Sequence, residues 1–72
     1  MMNTNNIKKL IDELNQKGTK ATCDAIGAAY AGRYHVAVGM GDLQDELDTM
    51  EMSGSIGKKG DCYFSNHNYP FV

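Results

Sequence analysis

Cysteine, histidine and carboxylate side chains are the groups in this 72-residue chain most able to do chemistry, and their spacing decides what chemistry is open to them. Cys23, His35, Cys62 and His67 are all of zinc-ligand type. Their order, Cys-x11-His and then Cys-x4-His, lacks the paired short spacings that bring four ligands onto one tetrahedral ion. No metal is expected. Nothing in the sequence marks either thiol as activated for a Cys-His nucleophile, and both cysteines read as reduced, small core residues. Gly39-Met40-Gly41 precedes a helix but lacks the third glycine and the lysine of a phosphate loop, and Asp42 at that helix start repels an anion. A core this small offers no credible pocket, so the expectation is no enzyme, no cofactor and no small-molecule substrate.

The carboxylates are the stronger signal. Asp42, Asp45, Glu46, Asp48 and Glu51 fall within one segment that contains no lysine or arginine. Over residues 1–41, Lys8, Lys9, Lys17, Lys20 and Arg33 outweigh Asp12, Glu13 and Asp24, for a sum of +2. Over residues 42–72, Lys58 and Lys59 stand against those five carboxylates and Asp61, for a sum of −4. An electrostatic partner of the second half should therefore be basic.

Local pattern predicts the elements that must position these groups. Ile7, Leu10, Ile11 and Leu14 recur at i, i+3, i+4 and i+7 and predict a first helix near residues 5–17, with Thr4 or Asn5 as N-cap and Gly18 as stop. Lys8 with Asp12 and Lys9 with Glu13 can pair on its wet face. Thr22 can cap a second helix over residues 22–31, with Asp24 favoured at its positive start and Gly32 ending it. Its inner face would be Ala25, Ile26, Ala29 and Tyr30, and the small residues Gly27, Ala28 and Ala29 permit close packing on the first helix. Tyr34-His35-Val36-Ala37-Val38 reads as a short strand or strand-like connection. A third helix runs from Asp42, its N-cap, to about Met52, with Leu43, Leu47 and Met50 facing inward. A step of about 100° per residue then turns Asp45, Asp48, Thr49 and Met52 outward. Ser55-Ile56, a turn at Gly57-Lys58-Lys59-Gly60 and a return over Asp61–Phe64 predict a terminal hairpin. The buried set is expected to be Ile7, Leu10, Ile11, Leu14, Ile26, Tyr30, Leu43, Leu47, Met50, Ile56 and Tyr63.

With 42% hydrophobic residues and one proline, the chain has enough apolar material for a single core. A domain of this size covers only about 60% of the surface its unfolded chain exposes, so it is expected to fold alone or as a homodimer. No run approaches the roughly 18 apolar residues of a membrane span, and the polar start Met1–Asn6 lacks the regions of a signal peptide, which points to the cytoplasm. Residues 1–6 read as a disordered or capping N-terminus, 7–64 as the domain, and 65–72 as a tail.

Helix, turn, helix, then Leu43-x-x-x-Leu47-x-x-Met50 running into Gly54-x-Ile56 and a glycine-tipped hairpin closing on Tyr63, resembles the winged helix-turn-helix family of small DNA-binding and regulatory proteins. The resemblance covers about residues 7–64 and implies an α+β fold, three helices with a C-terminal β-hairpin. The chain departs from the family in two respects. The family joins its second and third helices by a tight turn, where Ala31–Met40 reads here as ten residues, and the third helix offers carboxylates where a groove reader offers Arg, Lys, Asn or Gln. Phosphates would repel such a helix, so it is expected to stay out of the major groove.

Two functions are carried forward. The first is a small non-enzymatic regulatory protein, an inhibitor or adaptor, that docks on a basic protein surface through Asp42, Asp45, Asp48 and Glu51, anchored by Tyr69 and Phe71 of the tail. Small acidic proteins of phages and mobile elements often act in this way, an analogy of size and charge. The second is a DNA-binding transcriptional regulator that contacts phosphates through Lys58 and Lys59 of the hairpin, joined by Lys17, Lys20 and Arg33 if folding brings them to the same side.

Overall fold

The computed structural model describes residues 3–65. They form an α+β unit with a winged-helix-like layout: α1 (Thr4–Lys17), α2 (Cys23–Tyr34), α3 (Met40–Met52), β1 (Gly57–Lys59) and β2 (Cys62–Phe64). Tyr69 and Phe71, the anchors expected in the tail, lie outside the described residues. No helix is long and apolar enough to cross a membrane.

Helix α1 starts one residue earlier than its apolar stripe requires, because the side chain of Asn3 takes the cap. Its Oδ1 accepts from the backbone N–H groups of Asn5 and Asn6, at 2.8 and 3.3 Å. Thr4, Asn5 and Asn6 are thus helical. Gly18 ends the helix at φ 75°, a conformation in which its N–H reaches back to the last turn.

Helix α2 is capped by Thr22, whose Oγ1 accepts from the Ala25 N–H at 3.1 Å. It does not stop at Gly32. It runs on to Tyr34 and is terminated by His35 in the left-handed region at φ 55°, a conformation for which histidine is among the more tolerant non-glycine residues. The strand expected over Tyr34–Val38 is therefore absent, and Val36–Val38 is irregular chain. Helix α3 likewise begins early, at Met40 with Gly39 as N-cap, so Asp42 lies in the first turn and does not cap. Together these extensions leave residues 35–39 as the whole α2–α3 connection, five residues where ten were expected.

The hairpin is shifted as well. Lys58 and Lys59 belong to β1, and the two-residue turn is Gly60-Asp61, with Gly57 opposite Phe64, Lys58 opposite Tyr63 and Lys59 opposite Cys62. Gly60 has φ 62° and Asp61 does not have positive φ, the pattern of a turn with glycine at its first central position. Gly57 is required for a different reason: a side chain there would collide with the ring of Phe64, which lies across it.

Ile7, Leu10, Ile11, Ile26, Tyr30, Leu43, Leu47, Met50, Ile56 and Tyr63 are all buried in one cluster, joined by Ala21. Leu14 is only partly covered, at its margin. The α2–α3 contact is tightest at Gly27, where an added Cβ would lie 3.0 Å from the Met40 sulfur and 3.2 Å from Leu43 Cδ2. The flexible end of Met40 can yield, whereas fully buried Leu43 cannot. Gly27→Ala is expected to lose stability, overpacking of about 1–3 kcal/mol exceeding a helix-propensity gain of about 1 kcal/mol. Gly32→Ala has nothing within 4 Å and should gain up to about 1 kcal/mol. Urea denaturation of the two variants should show midpoints displaced in opposite directions.

Candidate functional site

Packing of α3 fixes which of its side chains face outward. Leu43, Leu47 and Met50 point into the core, which leaves Asp42, Asp45, Asp48, Thr49, Glu51 and Met52 exposed and Glu46 half-buried. Met52 is 88% exposed, the most open large apolar side chain among the described residues. Thr49 donates its hydroxyl to the Asp45 carbonyl at 2.9 Å and so contributes no free hydroxyl to that face. Among the described residues, no lysine or arginine forms an ion pair with any of the five carboxylates of α3.

These carboxylates are spread over both flanks of the helix. On one flank Asp42, Asp45 and Glu46 join Tyr30, Tyr34, Val36, Ala37, Gly39 and Thr49 around an open groove of about 570 Å³ between α3, the end of α2 and the connection. Tyr30 and Tyr34 stand 4.7 Å apart, ring centroid to centroid, tilted by 53°. They are four residues apart on α2, a juxtaposition hidden from the sequence as long as Gly32 is taken to end the helix. Val36 is 46% exposed at the groove's edge. The groove thus offers aromatic and aliphatic surface beside three negative charges, a combination suited to the stem and head of a lysine or arginine side chain.

On the other flank Gln44 ties α3 to the hairpin. Its Nε2 donates to the Tyr63 hydroxyl and to Asp48 Oδ1, both at 3.0 Å. Gln44 is therefore turned to the structure and not to a partner. Tyr63 is 1% exposed, so this bond gives its buried ring a polar terminus. Cys23, Asp24, Thr22, Lys58 and Asp61 complete a second, smaller groove there. Partial burial, then the negative charges of Asp24 and Asp48, push the Cys23 thiol above its ordinary range, which lowers its thiolate fraction and its reactivity. Cys23 and Cys62 are both free and half-buried. Among the described residues no group of three or more His, Cys, Asp or Glu side chains could hold a metal ion.

The cations of the second reading line different grooves or stand exposed. Lys17 and Arg33 line a groove between α1 and α2, where the Arg33 guanidinium pairs with Glu13. That hydrogen bond holds the Glu13 carboxyl below the usual carboxylate range and raises Arg33 further. Lys58 lines the groove beside Gln44, with its ammonium 5.4 Å from the centre of the Tyr63 ring. Lys20 and Lys59 are exposed. The hairpin tip carries Asp61 in place of the expected lysines.

One structural anchor had no sequence signal. Asn15 Nδ2 donates to the Tyr63 carbonyl at 3.2 Å, while its Oδ1 accepts from the Ser65 N–H at 3.2 Å. The Ala21 carbonyl accepts from the Tyr63 N–H at 2.9 Å. The outer edge of β2 is thereby covered by α1 and the α1–α2 connection. No family model, curated protein or solved structure matches the chain.

Proposed function

We propose that this chain is a small non-enzymatic regulatory protein that binds a protein partner carrying a basic surface, as an inhibitor or adaptor. The observation that supports this most is the outer side of α3, which carries four exposed carboxylates and half-buried Glu46 with no ion-pair partner among the described residues and flanks an aromatic-lined groove. Uncompensated charge of one sign steers a complementary partner, and the groove beside it supplies apolar contact for affinity. Such a partner surface could be one that otherwise holds nucleic acid, since α3 displays negative charge along a rod as a phosphate backbone does. The reading places the protein in the cytoplasm, where two free thiols stay reduced.

The five-residue α2–α3 connection favours a second reading, a DNA-binding transcriptional regulator, because it brings the two helices into the close succession that helix-turn-helix proteins use. Against it stands the charge of α3, whose carboxylates would face the phosphates. Affinity capture from lysate with the tagged protein, run with and without nuclease, separates the readings. Retention of the same protein band after nuclease treatment is expected. Recovery of DNA, with every protein band lost on nuclease treatment, would reverse the ranking.

A further inference from the structure

The two edges of the hairpin are treated differently by the rest of the chain. Tyr63 directs its N–H to Ala21 and its carbonyl to Asn15, both on the far side of β2 from β1. In an antiparallel ladder that makes Lys58 and Tyr63 a non-hydrogen-bonded pair, with Gly57–Phe64 and Lys59–Cys62 the bonded pairs on either side. Lys58 must then direct its own N–H and C=O away from β2, along the outer edge of β1. No backbone hydrogen bond from the loops or helices reaches that edge among the described residues, and Lys58 and Lys59 are both exposed. Among the described residues the edge of β2 is capped twice and that of β1 is left open.

Side chains alternate across the sheet, so Lys58 presents its charge on the face of Tyr63 and Lys59 on the face of Cys62 and Phe64. An incoming strand would meet Lys59 on the Cys62 and Phe64 face, while Lys58, whose ammonium lies over the Tyr63 ring, would turn outward from that ring to meet it on the other. We propose that the outer edge of β1 accepts an extended acidic segment of a partner protein, which adds a third strand by pairing with the Lys58 N–H and C=O and sets adjacent carboxylates against Lys58 and Lys59. Strand addition of this kind draws its affinity from main-chain bonds and its specificity from side chains on alternate faces. A second copy of this chain is a poor occupant, since a two-fold β1–β1 pairing centred on Lys58 opposes lysine to lysine. This surface is separate from the carboxylate face of α3, and the inference does not rest on that reading.

The probe is an acetylated, amidated peptide, Thr-Val-Glu-Asp-Val-Thr, titrated into the isotope-labelled full chain and followed at the backbone amides. Without peptide, the Lys58 amide should exchange rapidly with solvent while the Tyr63 amide is protected. Peptide should shift and protect the Lys58 amide. N-methylating the glutamate and aspartate nitrogens should weaken binding roughly five- to a hundredfold, because a strand bond is lost and its acceptor left unpaired. The Thr-Val-Lys-Lys-Val-Thr peptide should bind worst. Lys58→Ala, which keeps the N–H, should weaken binding modestly. Lys58→Pro removes an N–H that points away from the ladder, a position where proline is tolerated, and should abolish binding; if that variant fails to fold, the N-methylated peptide still decides. Asp45→Asn/Asp48→Asn should bind the peptide as the parent does, which separates this result from the α3 reading. The proposal is overturned by equal binding of the N-methylated peptide, by a Lys58 amide already protected in a dimer, or by duplex DNA shifting that amide where the acidic peptide does not.

Discussion

Leu47→Ala is expected to lower the thermal midpoint by more than about 10 °C and to leave part of the protein unfolded at ambient temperature. Leu47 is fully buried at the centre of α3's inner face, in the cluster that joins all three helices to the hairpin. Truncation of such a residue removes its transfer free energy and leaves a cavity, about 2–5 kcal/mol together. A domain of this length has a total of only about 4–11 kcal/mol to lose, and at this size each kcal/mol moves the midpoint by about 4–8 °C. Glu51→Ala, on the exposed side of the same helix, should change stability by less than about 0.5 kcal/mol. Circular dichroism melts of the two variants check this, and an unchanged midpoint for Leu47→Ala would contradict the facing of α3.

The second large effect concerns binding. Asp45→Asn with Asp48→Asn takes the net charge from −2 to 0 without removing an atom that the fold needs. The Asp45 carbonyl that Thr49 uses is main chain, and an asparagine Oδ1 at position 48 can still accept from Gln44. The double variant should fold normally and associate with the captured basic partner about tenfold more slowly at low salt, the difference shrinking as salt screens it. Lys58→Ala with Lys59→Ala should leave that association nearly unchanged. On the DNA reading the signs reverse: the lysine pair weakens binding and flattens its salt dependence, and the carboxylate pair strengthens it by relieving phosphate repulsion. Stopped-flow association with the partner and salt-series titration with duplex DNA measure both.

The parts of this fold that could be read from the chain were those set by local period. Ile7, Leu10 and Ile11 announce α1, and Leu43, Leu47 and Met50 announce α3, because each stripe lies on one face of one helix. The order of elements follows. What the sequence hid was decided by tertiary contact. Gly32 looks like a helix stop, yet α2 continues because Tyr34 packs at the core's edge and His35 takes the left-handed conformation instead. Gly57 looks like a turn residue, yet it is glycine because Phe64 lies across it, and the turn moves to Gly60-Asp61. The groove shows the same limit. Its carboxylates were visible as a charge run, whereas Tyr34 and Val36 joined them only once α2 reached its true end.

The junction between α1 and β2 also governs the order in which the chain can fold. Asp12 and Asn15 bond to residues 48 to 53 positions further along, through Tyr63 and Ser65. Near neighbours can form helices in microseconds, but this closure must bring distant parts of the chain together before it yields any contact, and loop entropy opposes it until then. During synthesis α1 and α2 can meet each other early, but the junction of α1 with β2 forms only after β2 has left the ribosome. For that interval the part of α1 that β2 covers stays open to solvent, and protection from aggregation follows the arrival of that strand.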